Sequence, residues 1–204
     1  MTSGDLRPGR CVLMRGRGRI GKSALAEEFV SRSGLPSLYF TAARASAEQE
    51  LRQLLDDVAS SDLPHRALFT QTPPANWNSA LQLLADAIPD DSPSVLVIDE
   101  VPYLMERVDA FEGMLQRAWD RFLSRKPVLL ILIGSDLSMM EALNSYDRPF
   151  HQRGTEMVIK ALNPAELQEM RLTAISVGCR FGVSRRGRMA RCARRAGWDV
   201  GGGP

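Results

Sequence analysis

Eight consecutive residues, GRGRIGKS at positions 16–23, have the types and spacing that bind a phosphate chain. They fit the pattern G-x-x-x-x-G-K-[ST], in which backbone N–H groups surround the anion and a helix begins at the lysine. Lys22 is expected to reach the β- and γ-phosphates and Ser23 to ligate Mg²⁺. The remaining nucleotide contacts are expected from Gly16, Arg17, Gly18, Arg19, Ile20, Gly21 and Ala24, with the three glycines at positive φ. The alternative is a glycine-rich turn with a surface lysine.

An acidic pair, Asp99 and Glu100, directly follows the apolar run at residues 94–98. A bound magnesium triphosphate needs an acid near the metal and a group that activates the attacking water. Asp99 at the strand tip suits the metal, and Glu100 suits the role of base. Taken alone, the pair could equally be a solvated loop, but a phosphate loop upstream favours the catalytic interpretation.

Two further segments carry candidate catalytic groups. Ser135 and Asp136 close the apolar run at residues 128–133, and Ser135 is expected to sense the γ-phosphate through the attacking water. A simple Gly-Ser-Asp turn is the alternative. Arg153, just before the last predicted strand, is expected to offset charge on the transferring phosphate, in its own chain or in a neighbour. Arg148 is the less favoured choice.

Strand-like and helix-like segments alternate along the chain and would position these groups. Strands are predicted at residues 11–14, 38–41, 94–98, 128–133 and 156–159. Helices are predicted at 22–33, after a capping box at Ser46, at 77–88, at 111–123, at 139–143 and after a cap at Asn163, with a loop at 60–75. Trp77 is interpreted as a core anchor rather than a ligand-stacking group. The alternation predicts an α/β domain with a mainly parallel sheet, whose carboxyl strand ends form the binding edge.

Composition limits the other possibilities. The 204 residues are 44% hydrophobic and 25% charged, without a membrane-length apolar run or a signal core, so we expect one cytoplasmic globular domain. Three cysteines and two histidines without metal-ligand spacing make a disulfide framework or a zinc site improbable. Residues 171–204 carry eight arginines against one acid, so their net charge is +7 and that of residues 1–170 is −5.

Four segments together resemble the archaeal-type AAA ATPase family. This family belongs to the STAND branch of P-loop ATPases and also occurs in bacteria. The segments are GRGRIGKS at 16–23, VIDEVPYL at 97–104, IGS at 133–135 with Met139 and Met140, and QRGT at 152–155. The resemblance covers residues 9–170. It implies a three-layer P-loop NTPase sandwich with a five-stranded sheet of ASCE type, in which the Ser135 strand separates the catalytic-glutamate strand from the phosphate-loop strand. It also implies ATP and Mg²⁺ binding, with hydrolysis coupled to a conformational signal.

The sequence departs from this family after Met170, where the family has a helical lid. We therefore expect an ATPase core at 1–170 without its C-terminal lid, followed at 171–204 by an Arg/Gly-rich tail that is disordered or non-native. The alternatives are a nucleotide-binding switch or scaffold with little turnover and, less favoured, a small-molecule phosphotransferase. The expected partners are ATP and a protein partner or a second copy of the chain. Nucleic acid is conceivable through the tail but unsupported by the acidic core.

Overall fold

A five-stranded, wholly parallel sheet forms the centre of the fold. The computed structural model describes residues 8–161. The strands are β1 (Arg10–Arg15), β2 (Ser37–Thr41), β3 (Ser94–Asp99), β4 (Val128–Gly134) and β5 (Thr155–Val158), in the spatial order β2-β3-β4-β1-β5. The predicted parallel sheet is therefore confirmed, and β4 separates β3 from β1 as the family resemblance implied.

Seven α-helices and one 3₁₀ turn connect these strands within residues 8–161. They are α1 (Lys22–Ser33), α2 (Ala47–Ser60), α3 (Ala67–Gln71), α4 (Trp77–Asp86), α5 (Val101–Arg107), α6 (Phe111–Arg121), the 3₁₀ turn at Leu123–Arg125 and α7 (Leu137–Leu143). The two short helices α3 and α5 were not predicted. Within residues 8–161, no helix combines the length and the hydrophobicity that a membrane span requires.

Helices cover both faces of the sheet and produce three layers. All six residues of β3 are buried, as expected of a strand whose two faces both pack against other elements. On one face, Ala26 and Val30 of α1 pack against Met14 and against the side chains of β3 and β4 that lie on the α1 side of the sheet. A larger apolar cluster lies on the other face and contains most of the buried apolar residues of α2, α4, α5 and α6.

Trp77 is a core anchor, as the sequence predicted. Its side chain is buried and its indole N–H donates a hydrogen bond of 3.0 Å to the Ala47 carbonyl oxygen. The ring packs edge-on against Phe111, with centroids 5.4 Å apart, and at a tilt against Phe40. Trp77 thereby ties α4 to α6 and to β2.

Local sequence signals account for several helix ends. Ser46 and Gln49 form the predicted capping box at the start of α2. Gly34 ends α1 in the left-handed conformation, with φ of 61°. Leu25 and Phe29, one turn apart in α1, are 47% and 43% exposed, so the buried face of this helix is formed by other residues, among them Ala26. The helix predicted after Asn163, the domain boundary at 170 and the tail lie outside the described residues.

Candidate functional site

The phosphate loop lies between the end of β1 and the start of α1, at the carboxyl edge of the sheet. Gly16 is buried, and a Cβ there would lie 2.4 Å from the Ile159 carbonyl oxygen, so any side chain would collide with the chain leaving β5. Gly21 adopts φ of 96°, in the left-handed region that favours glycine, and is the N-cap of α1. Glycine is therefore required at position 16 by the lack of space for a side chain and is favoured at position 21 by the backbone conformation.

The expectation of positive φ at all three loop glycines is wrong in part. Only Gly21 among them adopts it, while Gly16 and Gly18 do not. Arg19 instead occupies the left-handed region, with φ of 64°. A Cβ on Gly18 would meet no atom within 4 Å of the described chain, so space does not require glycine at this position.

The ammonium group of Lys22 is buried within its own loop. The residue is 6% exposed, and Nζ donates hydrogen bonds of 2.9 Å and 3.0 Å to the carbonyl oxygens of Gly16 and Arg17. Lys22 forms no ion pair with an acid anywhere in residues 8–161. A buried charge without a counter-ion is costly, so this site favours an anionic ligand.

The start of α1 adds further donors for an anion. Backbone N–H groups in the first turn of a helix have no intrahelical acceptor, and no side chain caps this helix. The positive end of the helix dipole lies at the same point. With the Lys22 ammonium beside it, the loop has the donor chemistry that a phosphate chain requires.

Asp99 ends β3 with both carboxylate oxygens engaged. The residue is 3% exposed; Oδ1 accepts the Glu100 backbone N–H at 2.9 Å and Oδ2 accepts the Tyr39 hydroxyl at 3.1 Å. The same hydroxyl lies 3.4 Å from the Ser23 carbonyl oxygen. Burial first, and then the charge of Asp99, raises the pKa of Tyr39, so its hydroxyl stays a donor at neutral pH.

Glu100 occupies a strained position beside Ser135. It adopts φ of 56° and ψ of 43°, uncommon for a residue with a side chain, and is the N-cap of α5. The Ser135 hydroxyl lies 3.0 Å and 3.2 Å from the two Glu100 carboxylate oxygens and donates to them. The structure thus brings the candidate base and the candidate sensor together.

Close packing fixes the end of β4 against its neighbours. A Cβ on Gly134 would lie 2.5 Å from Met140 Sδ and 2.9 Å from Pro102 Cδ. Only a residue without a side chain therefore lets α5 and α7 approach the strand this closely. Gly134, Pro102 and Met140, which belong to two of the sequence motifs, therefore meet at one point.

The two residues expected to hold magnesium share one hydrogen-bonding neighbour. Ser23 lies in the first turn of α1, and the Tyr39 hydroxyl lies 3.4 Å from the Ser23 carbonyl oxygen and 3.1 Å from Oδ2 of Asp99. Hydroxyl and carboxylate oxygens are the ligands that Mg²⁺ prefers, and a protein site for it commonly uses one or two of them with phosphates and water. The donor set therefore fits a magnesium nucleotide.

Asp136 has a local structural role. It is exposed and caps α7, with Oδ1 accepting the Met139 N–H at 3.0 Å and the Ser138 hydroxyl at 2.7 Å. These hydrogen bonds, that of Ser138 above all, lower the pKa of the Asp136 carboxyl group. The residue thereby fixes the start of the helix that follows Ser135.

The structure does not bring Arg153 to the phosphate loop. Its guanidinium makes a two-pronged ion pair with Asp120 of α6, with N···O distances of 2.7 Å and 2.8 Å, and also donates to the carbonyl oxygens of Pro149 and His151. Arg153 precedes β5, which begins opposite Val12 of β1, whereas the loop follows the end of β1. Arg148, the less favoured candidate, forms an ion pair with Glu112, which like Asp120 belongs to α6.

Two residues next to the site were missed by the sequence analysis. Tyr39 is a polar-tipped residue in an apolar strand, but its partners become visible only once β2 is known to lie beside β3. Arg15, directly before the loop, forms ion pairs with Glu141 of α7 and Glu156 of β5. The sequence did offer a signal for Arg15, because a basic residue at the end of an apolar strand indicates an acidic partner nearby.

Comparisons with known proteins identify similar solved structures. A Walker-type ATPase of Pyrococcus abyssi superposes with a TM-score of 0.59 and 16% identity, covering 88% of this chain and 57% of that chain. A Drosophila ORC structure bound to DNA gives 0.61 and 17%, covering 86% and 43%. The Aeropyrum pernix ORC2 protein in its ADP form gives 0.53 and 18%, covering 84% and 47%.

The chain spans about half the length of the solved structures that it matches. No protein-family model matches the sequence, and comparison with curated proteins gives no match. At identities of 16–18%, these superpositions show a shared fold and no more. Together with the strand order and the loop geometry, they establish that this chain has the α/β fold of the P-loop NTPases, in the arrangement found in ATPases of the AAA type.

Proposed function

We propose that this chain binds ATP with Mg²⁺ at the carboxyl edge of the sheet and hydrolyses it. The observation that carries the proposal is the buried Lys22 ammonium, held in a loop at an uncapped helix start and without an acidic partner in the described residues. An anion relieves that unpaired charge, and the Asp99 carboxylate nearby suits the cation that accompanies a triphosphate.

The phosphate loop and Asp99 divide the contacts to the magnesium nucleotide between them in this proposal. Lys22 uses the N–H that is not bonded to the loop carbonyls to contact the β- and γ-phosphates, and the N–H groups at the start of α1 surround them. Ser23 and Asp99 hold Mg²⁺, which when bound neutralises charge on the phosphate oxygens. Residues 16–24 supply the other nucleotide contacts.

Glu100 acts as the general base toward water. Its strained backbone projects the side chain from the end of β3, and the Ser135 hydroxyl holds the carboxylate in one orientation. A water molecule between Glu100 and the γ-phosphate would lose a proton to this carboxylate as its oxygen bonds to the γ-phosphorus, and the bond from the γ-phosphorus to the bridging oxygen would break to release ADP. Ser135 is then placed to exchange its hydrogen bond between Glu100, water and phosphate.

Arg153 assists only after it leaves Asp120, and it then contacts a phosphate in its own chain or in another copy of the chain. Its bidentate ion pair holds the guanidinium beside α6, away from its own loop. A second copy of the chain, or a protein partner, is therefore the natural source of the missing positive charge. Coupling of hydrolysis to a conformational signal, as in STAND ATPases, would use the same contact.

A nucleotide-binding switch with little turnover is the second candidate. The observation that favours it is the engagement of both assisting groups: Glu100 already accepts a hydrogen bond from Ser135, and Arg153 is paired with Asp120. In that case ATP binds with Mg²⁺, but phosphate release stays at background until a partner rearranges these contacts.

Calorimetric titration of the full chain with Mg·ATP tests the proposal. Replacing Lys22 with alanine removes the charged contact to the phosphates and should weaken binding by about 10- to 100-fold. Lys126→Ala is the matched control, since this lysine pairs with Asp90 and precedes β4 at the opposite edge of the sheet. Absence of Mg·ATP binding by the natural chain, or equal binding by Lys22→Ala, would refute the proposal.

A further inference from the structure

One hydroxyl group links the two residues expected to hold magnesium. Tyr39 lies in β2, and its phenol oxygen lies 3.1 Å from Oδ2 of Asp99, at the end of the neighbouring strand β3, and 3.4 Å from the Ser23 carbonyl oxygen. Its ring packs in the apolar cluster on the α1 face of the sheet. Tyr39 therefore connects an edge strand, the end of β3 and the start of α1 at one point.

We propose that Tyr39 is the positioning residue of the metal site and that it sets the affinity for Mg²⁺ by fixing the Asp99 carboxylate relative to Ser23. The inference rests on the proposed function and extends it, because neither the sequence motifs nor the phosphate loop assigns a role to β2. Tyr39 acts through Asp99 and does not itself touch the nucleotide.

The hydrogen bonds to Asp99 explain how this positioning works. The terminal torsion of an aspartate side chain is soft, so the plane of its carboxylate is set by hydrogen bonds. Here the Glu100 N–H holds Oδ1 and the Tyr39 hydroxyl holds Oδ2, which fixes the plane from two sides. Each oxygen keeps a lone pair for a cation or one of its waters.

Loss of the hydroxyl should affect the metal and leave the fold in place. Substitution of groups that orient metal ligands commonly reduces metal affinity by about 10- to 100-fold. Tyr39→Phe retains the ring in the apolar cluster and removes only the oxygen. We therefore expect the Mg²⁺ concentration that half-saturates nucleotide binding to rise by about 10- to 100-fold, with nucleotide affinity in EDTA unchanged.

The experiment titrates MgCl₂ into the full chain with a fluorescent ATP analogue and follows polarisation. Tyr103→Phe is the matched control, because Tyr103 is also partly buried and its hydroxyl makes no hydrogen bond to the described residues. This control should show the natural Mg²⁺ dependence. Thermal unfolding in EDTA, measured for each variant, shows whether any change reflects the fold alone.

A second variant tests whether Tyr39 acts through Asp99. In an Asp99→Ala background, Tyr39→Phe should produce no additional change in Mg²⁺ dependence, because the group it orients is gone. The inference is overturned if Tyr39→Phe binds Mg²⁺ like the natural chain, or if its effect persists unchanged without Asp99. If the natural chain itself binds no nucleotide at any Mg²⁺ concentration, the proposed function fails first and this inference with it.

Discussion

Replacing Gly134 with alanine tests whether close packing at the end of β4 holds the site together. The added Cβ would lie 2.5 Å from Met140 Sδ and 2.9 Å from Pro102 Cδ. Atoms in contact normally stand about 3.5–4 Å apart, so the neighbours must move by about 1 Å. Overpacking costs about 1–3 kcal/mol, against about 0.4–1 kcal/mol gained from a less flexible unfolded chain. We expect the free energy of unfolding to fall by about 1–2 kcal/mol.

The same displacement should reduce catalysis more than binding. Ser135 directly follows Gly134, and its hydroxyl holds the Glu100 carboxylate. A shift of about 1 Å in a catalytic contact can lower the rate by about 100-fold. We therefore expect phosphate release by Gly134→Ala to fall by about 10- to 100-fold. Mg·ATP should still bind, because Lys22 is held by carbonyl oxygens of its own loop and not by β4.

Gly113→Ala provides the matched control in the same assays. A Cβ on Gly113, which lies in α6, would meet no atom of the described chain within 4 Å, so alanine should raise the free energy of unfolding by about 0.5–1 kcal/mol. Urea unfolding followed by circular dichroism measures both variants. In the double variant Gly134→Ala/Met140→Ala, the loss should be smaller than the sum of the single losses. A Gly134→Ala chain as stable and active as the natural one would refute the packing argument.

Two further substitutions test local electrostatics and capping. Hydrogen bonds from Asn144 and Arg15 lower the pKa of Glu156, so its stabilising effect is complete above the ordinary glutamate pKa of about 4 and is lost as the pH falls through the lowered value. Urea unfolding should therefore show Glu156→Gln less stable than the natural chain at pH 7, with a difference that shrinks as the pH is lowered below the ordinary glutamate pKa; a pH-independent difference would contradict this assignment. Ser46→Ala breaks the capping box with Gln49 and should cost about 1 kcal/mol in the same assay, and no loss would mean that α2 does not depend on its cap.

The sequence was sufficient for the sheet because its central strands are uninterrupted apolar runs that end in polar residues. Residues 94–98 and 128–133 became β3 and β4 within one residue of the predicted bounds. The start of α1 followed from Lys22 in the loop pattern, and that of α2 from its capping box. These signals are local, so no knowledge of the neighbouring strands was needed.

Other features depended on contacts that are distant in the chain. Helix α5 has seven residues with proline in its first turn, too short to show a helical period. The link from Tyr39 to Asp99 spans 60 residues and requires β2 to lie beside β3. The ion pair of Arg153 with Asp120 likewise requires the position of α6, so sequence alone could not separate a free arginine from a paired one.

Phosphate release by Glu100→Gln, measured beside Mg·ATP binding, tests the central claim most directly. The amide keeps the shape of the side chain and can still accept the Ser135 hydroxyl, but it cannot take a proton from water. We predict that Mg·ATP affinity stays within about threefold of the natural chain while turnover falls by at least about 100-fold. Turnover equal to that of the natural chain would contradict the assignment of Glu100 as the base and, with it, the proposed catalytic edge of the sheet.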